Sequence, residues 1–134
     1  MNSVGRTNAF WLLVAAIWLF LSVVSGAFAA HSLASFLTPE RLAVWEKAVD
    51  YQVMHAFALL AMALLLQSYA AQYRYWQAAS WSFLVGIFLF SGSLYAWVLS
   101  DIKALVYLTP LGGLAFLLGW AFVMWGAWQV RRST

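Results

Sequence analysis

Charged residues punctuate an otherwise apolar chain. None falls within 7–39, 51–73, 75–100 or 104–130, runs of 33, 23, 26 and 27 residues. An α-helix rises about 1.5 Å per residue, so about 20 apolar residues cross the ~30 Å of hydrocarbon in a bilayer. Each of the last three runs has room for one crossing and not for two. The first holds one crossing and a short link. The pattern predicts an all-α, polytopic membrane protein with a single membrane domain over 1–134. Four transmembrane helices, near 9–31, 51–70, 76–99 and 104–129, would form its bundle.

The stretch SGAFAAHSL, residues 25–33, has the small-x-small form of a signal-peptidase site at Ala27 and Ala29. A signal peptide carries an apolar region of about 7–15 residues. Here the uncharged segment from Ala9 to Gly26 already runs to 18. The segment is therefore expected to stay as the first helix. Beyond it, Thr38 suits an N-cap, Pro39 the first helical position and Glu40 the positive end of the helix dipole. Arg41 stands where a capping box wants Glu or Gln. Leu42, Trp45 and Val49 then share one helical face, with Glu46, Lys47 and Asp50 off it. This predicts a short interfacial amphipathic helix over 39–50, between helices 1 and 2. The alternative is a stalk running straight into helix 2.

Composition supports the bilayer as solvent. Hydrophobic residues make up 66% and charged residues 8%, against about 45–50% and about 25% in ordinary globular chains. With no cysteine there is no disulfide and no thiolate ligand or nucleophile. The net charge of +3 rests on too few, too scattered basic residues for a nucleic-acid surface. Lys and Arg instead set orientation. Arg6, Arg74, Arg131 and Arg132 lie on one side with no acid. Arg41, Lys47 and Lys103 lie on the other, diluted by Glu40, Glu46, Asp50 and Asp101. The expectation is a multi-pass cell inner-membrane protein with both termini cytoplasmic. Aromatic belts are expected at Trp11, Tyr73, Tyr75, Trp76 and Trp128 inside, and at Trp45, Tyr51, Trp97 and Tyr107 outside.

In lipid, helices associate through small residues that let backbones approach. Ser22, Gly26 and Ala30 recur at every fourth position of helix 1. Ser82, Gly86 and Gly92 do similar service in helix 3, and Gly112, Gly113, Gly119 and Gly126 in helix 4. A homo-oligomeric contact is a weaker inference, because four helices already give each small face a neighbour.

Polar residues gather at one depth in the outer half. His31 ends helix 1, and Tyr51, Gln52 and His55 open helix 2. Ser91, Ser93 and Tyr95 lie in helix 3, with Thr109 near the start of helix 4. Ionisable groups inside membrane spans are costly, and they default to functional hypotheses. One reading is interhelical glue; another is a pocket for a lipid or quinone-like ligand walled by Trp and Phe rings. A third is a haem or metal site, since two histidines can ligate haem iron while zinc would need a further ligand such as Asp50 or Glu46. No catalytic motif appears: HAFAL is not HExxH, and there is no phosphate loop or nucleophile elbow. Neither catalytic residues nor a cofactor are assigned.

The motifs GAFAAH (26–31), YQVMH (51–55), FSGSLY (90–95), TPLGG (109–113) and LGW (118–120) resemble a family of small four-helix inner-membrane proteins. It is a domain-of-unknown-function family that includes the bacterial YgdD-like and eukaryotic transmembrane-protein-256-like proteins. The resemblance spans nearly the whole chain, one motif per helix and in order. It implies an integral inner-membrane protein with four helices and supplies no reaction. Its signature positions here are Gly26, His31, Tyr51, Gln52, His55, Ser91, Gly92, Ser93, Tyr95, Thr109, Pro110, Gly112 and Gly113. The reading that results is a non-enzymatic membrane protein whose outer polar cluster binds a lipid or quinone-like ligand or organises the bundle. An accessory or assembly factor for a larger membrane complex is the alternative.

Overall fold

The computed structural model describes residues 3–133, and among these there is no strand. Helix α1 spans Ser3–His31 and α2 spans Pro39–Ser68. The third rod comprises α3 (Tyr73–Ile87), a π-helical turn (Phe88–Gly92) and α4 (Ser93–Ser100). A 3-10 turn, Lys103–Leu108, leads into α5, Thr109–Ser133. Four of the resulting helical stretches are long and apolar enough to cross a membrane. Short links force consecutive rods to run antiparallel. Helix α1 packs on α2, α2 on the third rod, and the third rod on α5.

Local chemistry fixes the starts and stops. Thr38 caps α2, its hydroxyl accepting from the Arg41 N–H at 3.4 Å, with Pro39 following in the first turn. The third rod ends where Asp101 turns left-handed at φ 60°, a conformation that Asp tolerates better than most residues. The Ser100 hydroxyl accepts from the next free amide, Ile102 N–H, at 3.3 Å.

The separate interfacial helix expected over 39–50 is not a separate element. These residues form the opening turns of α2, which continues unbroken to Ser68. No Gly or Pro interrupts the chain at Asp50 and Tyr51. The stripe of Leu42, Trp45 and Val49 packs against Ala29, Leu33 and Val98 instead of lying on a headgroup layer. The belts differ as well. Trp11, Trp45 and Trp76 are buried. Their indole N–H groups donate to Gln77 Oε1, to the Ser25 carbonyl at 3.0 Å and to the Tyr69 carbonyl at 3.2 Å. A buried indole needs such an acceptor, and helix ends and amide side chains supply it.

The third rod and α5 interlock through glycines set against aromatic rings. A Cβ on Gly86 would stand 2.3 Å from the Phe116 ring, one on Gly119 2.5 Å from Phe83, and one on Gly126 2.6 Å from Trp76. At Gly112 the obstacle is main chain, with Phe90 N at 2.4 Å and the Leu89 carbonyl carbon at 2.8 Å, in the π-helical turn. Of the other small positions, Ser22 is buried with its hydroxyl on the Trp18 carbonyl at 2.7 Å. Gly26 meets Val49 at an ordinary 3.9 Å, Gly92 meets only its own rod, and Gly113 faces open space.

Gly112→Ala is therefore expected to cost about 1–3 kcal/mol, because a backbone obstacle cannot rotate away. Gly113→Ala is expected to be neutral, or stabilising by up to about 1 kcal/mol, since alanine favours helix. Thermal unfolding of the two variants in detergent separates them; equal melting points would refute the backbone contact at Gly112.

Candidate functional site

The polar residues of this half of the bundle are joined across helices. Gln52 is 1% exposed. Its Nε2 donates to the Trp18 carbonyl on α1 at 3.1 Å, and its Oε1 accepts from Tyr95 OH on α4 at 2.9 Å. One side chain thus ties three rods. Ser91 Oγ, in the π-helical turn, donates to the Ala48 carbonyl on α2 at 2.7 Å. Ser93 Oγ lies 2.8 Å from Thr109 Oγ1, joining α4 to the start of α5. At the edge of the bundle the Arg41 guanidinium pairs with Asp101 and lies 5.7 Å from the Trp97 ring centre.

His55 is 2% exposed, and its partners define its proton. Nδ1 lies 2.8 Å from the Tyr51 carbonyl, which can only accept. Nε2 lies 3.2 Å from the Trp120 indole N–H, which can only donate. Together they hold a neutral imidazole with its hydrogen on Nδ1. The ring stacks on Phe116 with centres 3.5 Å apart and planes 7° apart. Tyr51 stacks on Phe90 at 4.3 Å.

Beside this stack a groove of about 610 Å³ opens between α2, the π-helical turn and α5. Tyr51, His55, Phe90, Phe116 and Trp120 wall one part, and Met54, Leu114 and Leu117 the rest. Its size falls within the ~300–1,000 Å³ of small-molecule sites. The Tyr51 hydroxyl has no hydrogen-bond partner among the described residues.

Seven of the eight polar candidates thus gather around the Gln52 junction and the groove. His31 does not join them: it is exposed on the last turn of α1, outside the network. Among the described residues no three His, Asp or Glu side chains converge as a metal site would require. Three residues of the site, Trp120, Phe90 and Phe116, are not among the candidates read from the sequence. Trp120 stands four residues after Phe116, so a shared face was legible. That the face meets His55 was not.

The fold and the buried network define a class: a four-span helical membrane protein, cross-tied by polar side chains in one half. A family model described as "Protein of unknown function (DUF423)" matches residues 25–113. The chain is similar to the UPF0382 inner membrane protein YgdD of Escherichia coli (strain K12), 36% identical over 127 residues, with 95% of each chain covered. It is similar also to the UPF0382 membrane protein SAB0533 of Staphylococcus aureus (strain bovine RF122), 37% identical over 114 residues, covering 85% of this chain and 91% of that one. A UPF0382 membrane protein of Haemophilus influenzae is 37% identical over 121 residues, covering 90% and 95%. The chain belongs to this DUF423 family of membrane proteins. No solved structure matches it.

Interhelical hydrogen bonds in membranes average about 0.6 kcal/mol and reach about 1.7. Tyr95→Phe is expected to cost about 0.6 kcal/mol. Gln52→Leu should cost about 1–2 kcal/mol, because it removes both interhelical bonds and takes the acceptor from the half-buried Tyr95 phenol. The double variant should lose less than the sum. A double-mutant cycle on unfolding checks this, and strict additivity would show that the two side chains do not interact.

Proposed function

We propose that this protein is a non-enzymatic inner-membrane bundle, with both termini cytoplasmic, whose polar half organises the helices and leaves the aromatic groove for a lipid or quinone-like ligand. The observation that carries the organising role is the satisfied state of Gln52, His55, Ser91, Ser93, Tyr95 and Thr109. Each meets another helix, a main-chain carbonyl or a neighbouring side chain. Groups so engaged resist separation of the helices. Buried polar networks of this kind specify a single packing.

The ligand reading is supported by a different observation. The Tyr51 hydroxyl is an unpaired polar group lining an otherwise apolar groove, beside four aromatic rings. An unpaired hydroxyl in hydrocarbon is costly. A ligand presenting a carbonyl or ester oxygen there would relieve that cost, with its apolar part against Phe90, Phe116 and Leu117. Both a quinone and a lipid ester have such an oxygen. Orientation is supported by the arginine distribution: Arg6, Arg74, Arg131 and Arg132 share one end without a neighbouring acid.

Tyr51→Phe should leave the melting temperature of the ligand-free protein nearly unchanged and abolish the upward shift given by a soluble quinone analogue or a short-chain phospholipid. Gly113→Leu, which fills the groove from an open position, should do the same. If wild type shows no shift with either compound, the ligand reading fails and the organising role stands alone. For orientation, the cysteine-free chain is suited to introduced thiols. Ser32→Cys should react with a membrane-impermeant maleimide in intact cells, and Ser133→Cys only after permeabilisation; the opposite pattern reverses the topology.

A further inference from the structure

At the end of the bundle opposite the groove lies a second, polar cleft of about 390 Å³. It is lined by Ala71, Gln72, Arg74, Tyr75 and Gln129, where the α2–α3 turn meets the last turns of α5. We infer that this cleft binds the phosphate headgroup of an anionic phospholipid, whose acyl chain lies in the adjoining apolar groove on α5. The site stands apart from the Tyr51 groove and does not rest on that reading.

Four observations converge on it. First, Gln72 is 8% exposed and opens onto the cleft, yet its carboxamide has no hydrogen-bond partner among the described residues. The side chain of a largely buried amide is normally matched by a partner, and the cleft is the open side from which one can come. Second, the Arg74 guanidinium donates to Tyr75 OH at 2.6 Å and lies 4.7 Å from that ring's centre. With its oxygen engaged as acceptor, the phenol proton is left to donate elsewhere. The Trp125 and Gln129 side chains also hydrogen-bond to that hydroxyl, so the cleft presents donors from Gln72, Arg74 and Tyr75, which is the complement of a phosphate's acceptor-only oxygens.

Third, charge agrees. The four acidic residues of the chain are Glu40, Glu46, Asp50 and Asp101, all at the opposite end. The first turn of α3 has no acid, and its positive dipole end faces this side. No carboxylate side chain near Arg74 competes for it among the described residues.

Fourth, Tyr75 also lines a neighbouring apolar groove of about 310 Å³, with Leu118, Ala121, Phe122 and Trp125. From Gln129 to Leu118 along α5 is eleven residues, about 16 Å. That is about half of the ~30 Å hydrocarbon thickness, the depth of one leaflet. A polar cleft at the membrane surface thus continues into an apolar channel of acyl-chain length. A free phosphate would use only the first part. A neutral lipid would leave the guanidinium uncompensated.

The test uses the full chain in mild detergent, with native mass spectrometry and thermal unfolding as readouts. Phosphatidylglycerol should be retained and raise the melting temperature. Phosphatidylcholine, which has the same phosphate but no net charge, should be retained at least about tenfold less, since hydrogen bonds to charged groups carry that much and more. Arg74→Gln and Gln72→Leu should each weaken phosphatidylglycerol retention by about tenfold or more. Ala121→Trp, in the chain groove, should weaken it with the headgroup cleft intact. Arg132→Gln changes the same net charge outside the cleft and should cost about fivefold at most. Arg74 is exposed, so its variant folds even if the buried Gln72 change does not. The site is overturned if the two lipids bind alike, or if Arg132→Gln loses as much as Arg74→Gln. Displacement of the lipid by millimolar inorganic phosphate would reassign the cleft to a soluble anion and overturn the lipid assignment.

Discussion

In hydrocarbon there is no water to satisfy a polar group that the protein leaves unpaired, and Gln52 is where this constraint acts most strongly. Its amide meets acceptor and donor on two different rods, Trp18 O on α1 and Tyr95 OH on α4. Sliding α2 by one turn, about 5.4 Å, would break both bonds at once and bury three unmatched groups. A lipid-exposed surface offers no comparable penalty, because leucine against leucine is nearly the same energy as leucine against an acyl chain. Register in this bundle is therefore set by a few polar pairs, with the apolar surface indifferent to it.

The glycine–aromatic interlock then determines how close α5 can come. Gly112 allows α5 to rest on the main chain of the π-helical turn, and Gly86 receives Phe116. That seating brings Phe116 flat against His55 and puts the Trp120 indole within hydrogen-bonding distance of its Nε2. The two devices are thus coupled. Close packing of α5 creates the stack, and the stack in turn shields a histidine whose proton position is fixed by one acceptor and one donor. The groove is the residue of the same geometry: Gly113, next to the tightly held Gly112, leaves open space where a side chain would otherwise pack.

Much of this was legible in the residues, and the reason is physical. A helix in lipid must exclude charge over about 20 positions, so the gaps between charged residues announced the rods directly. Thr38 and Pro39 marked the start of α2 because capping is a local interaction of three or four residues. The depth of Tyr51, Gln52, His55, Ser91, Ser93, Tyr95 and Thr109 followed from counting along helices. What was not legible depends on rotation about the helix axis. The π-helical turn at Phe88–Gly92 changes that rotation and has no propensity signal strong enough to place it. The tryptophans at 11, 45 and 76 have interfacial positions in sequence yet point inward, where acceptors happen to lie. His31 shared the right depth with the cluster and faces away from it. The segment 39–50 has an amphipathic pattern that serves equally for a headgroup layer or for α1 and α4, and only the packing partners decide between them.

The two ends of the bundle handle charge differently, and the difference follows from how each end is closed. Around Arg41 the cation is matched by Asp101 and by the Trp97 face, and the polar groups just beneath it are joined to one another. At the Arg74 end, Arg74 lies over the Tyr75 ring and donates to its hydroxyl, and Arg132 lies over Trp128. A cation on an aromatic face keeps most of its positive field, since the ring supplies a quadrupole and no net charge. An end built this way presents fixed positive potential to whatever adjoins it. In a bilayer the adjoining groups are phosphates, so the positive field around Arg74 is one that membrane lipid is chemically equipped to complete.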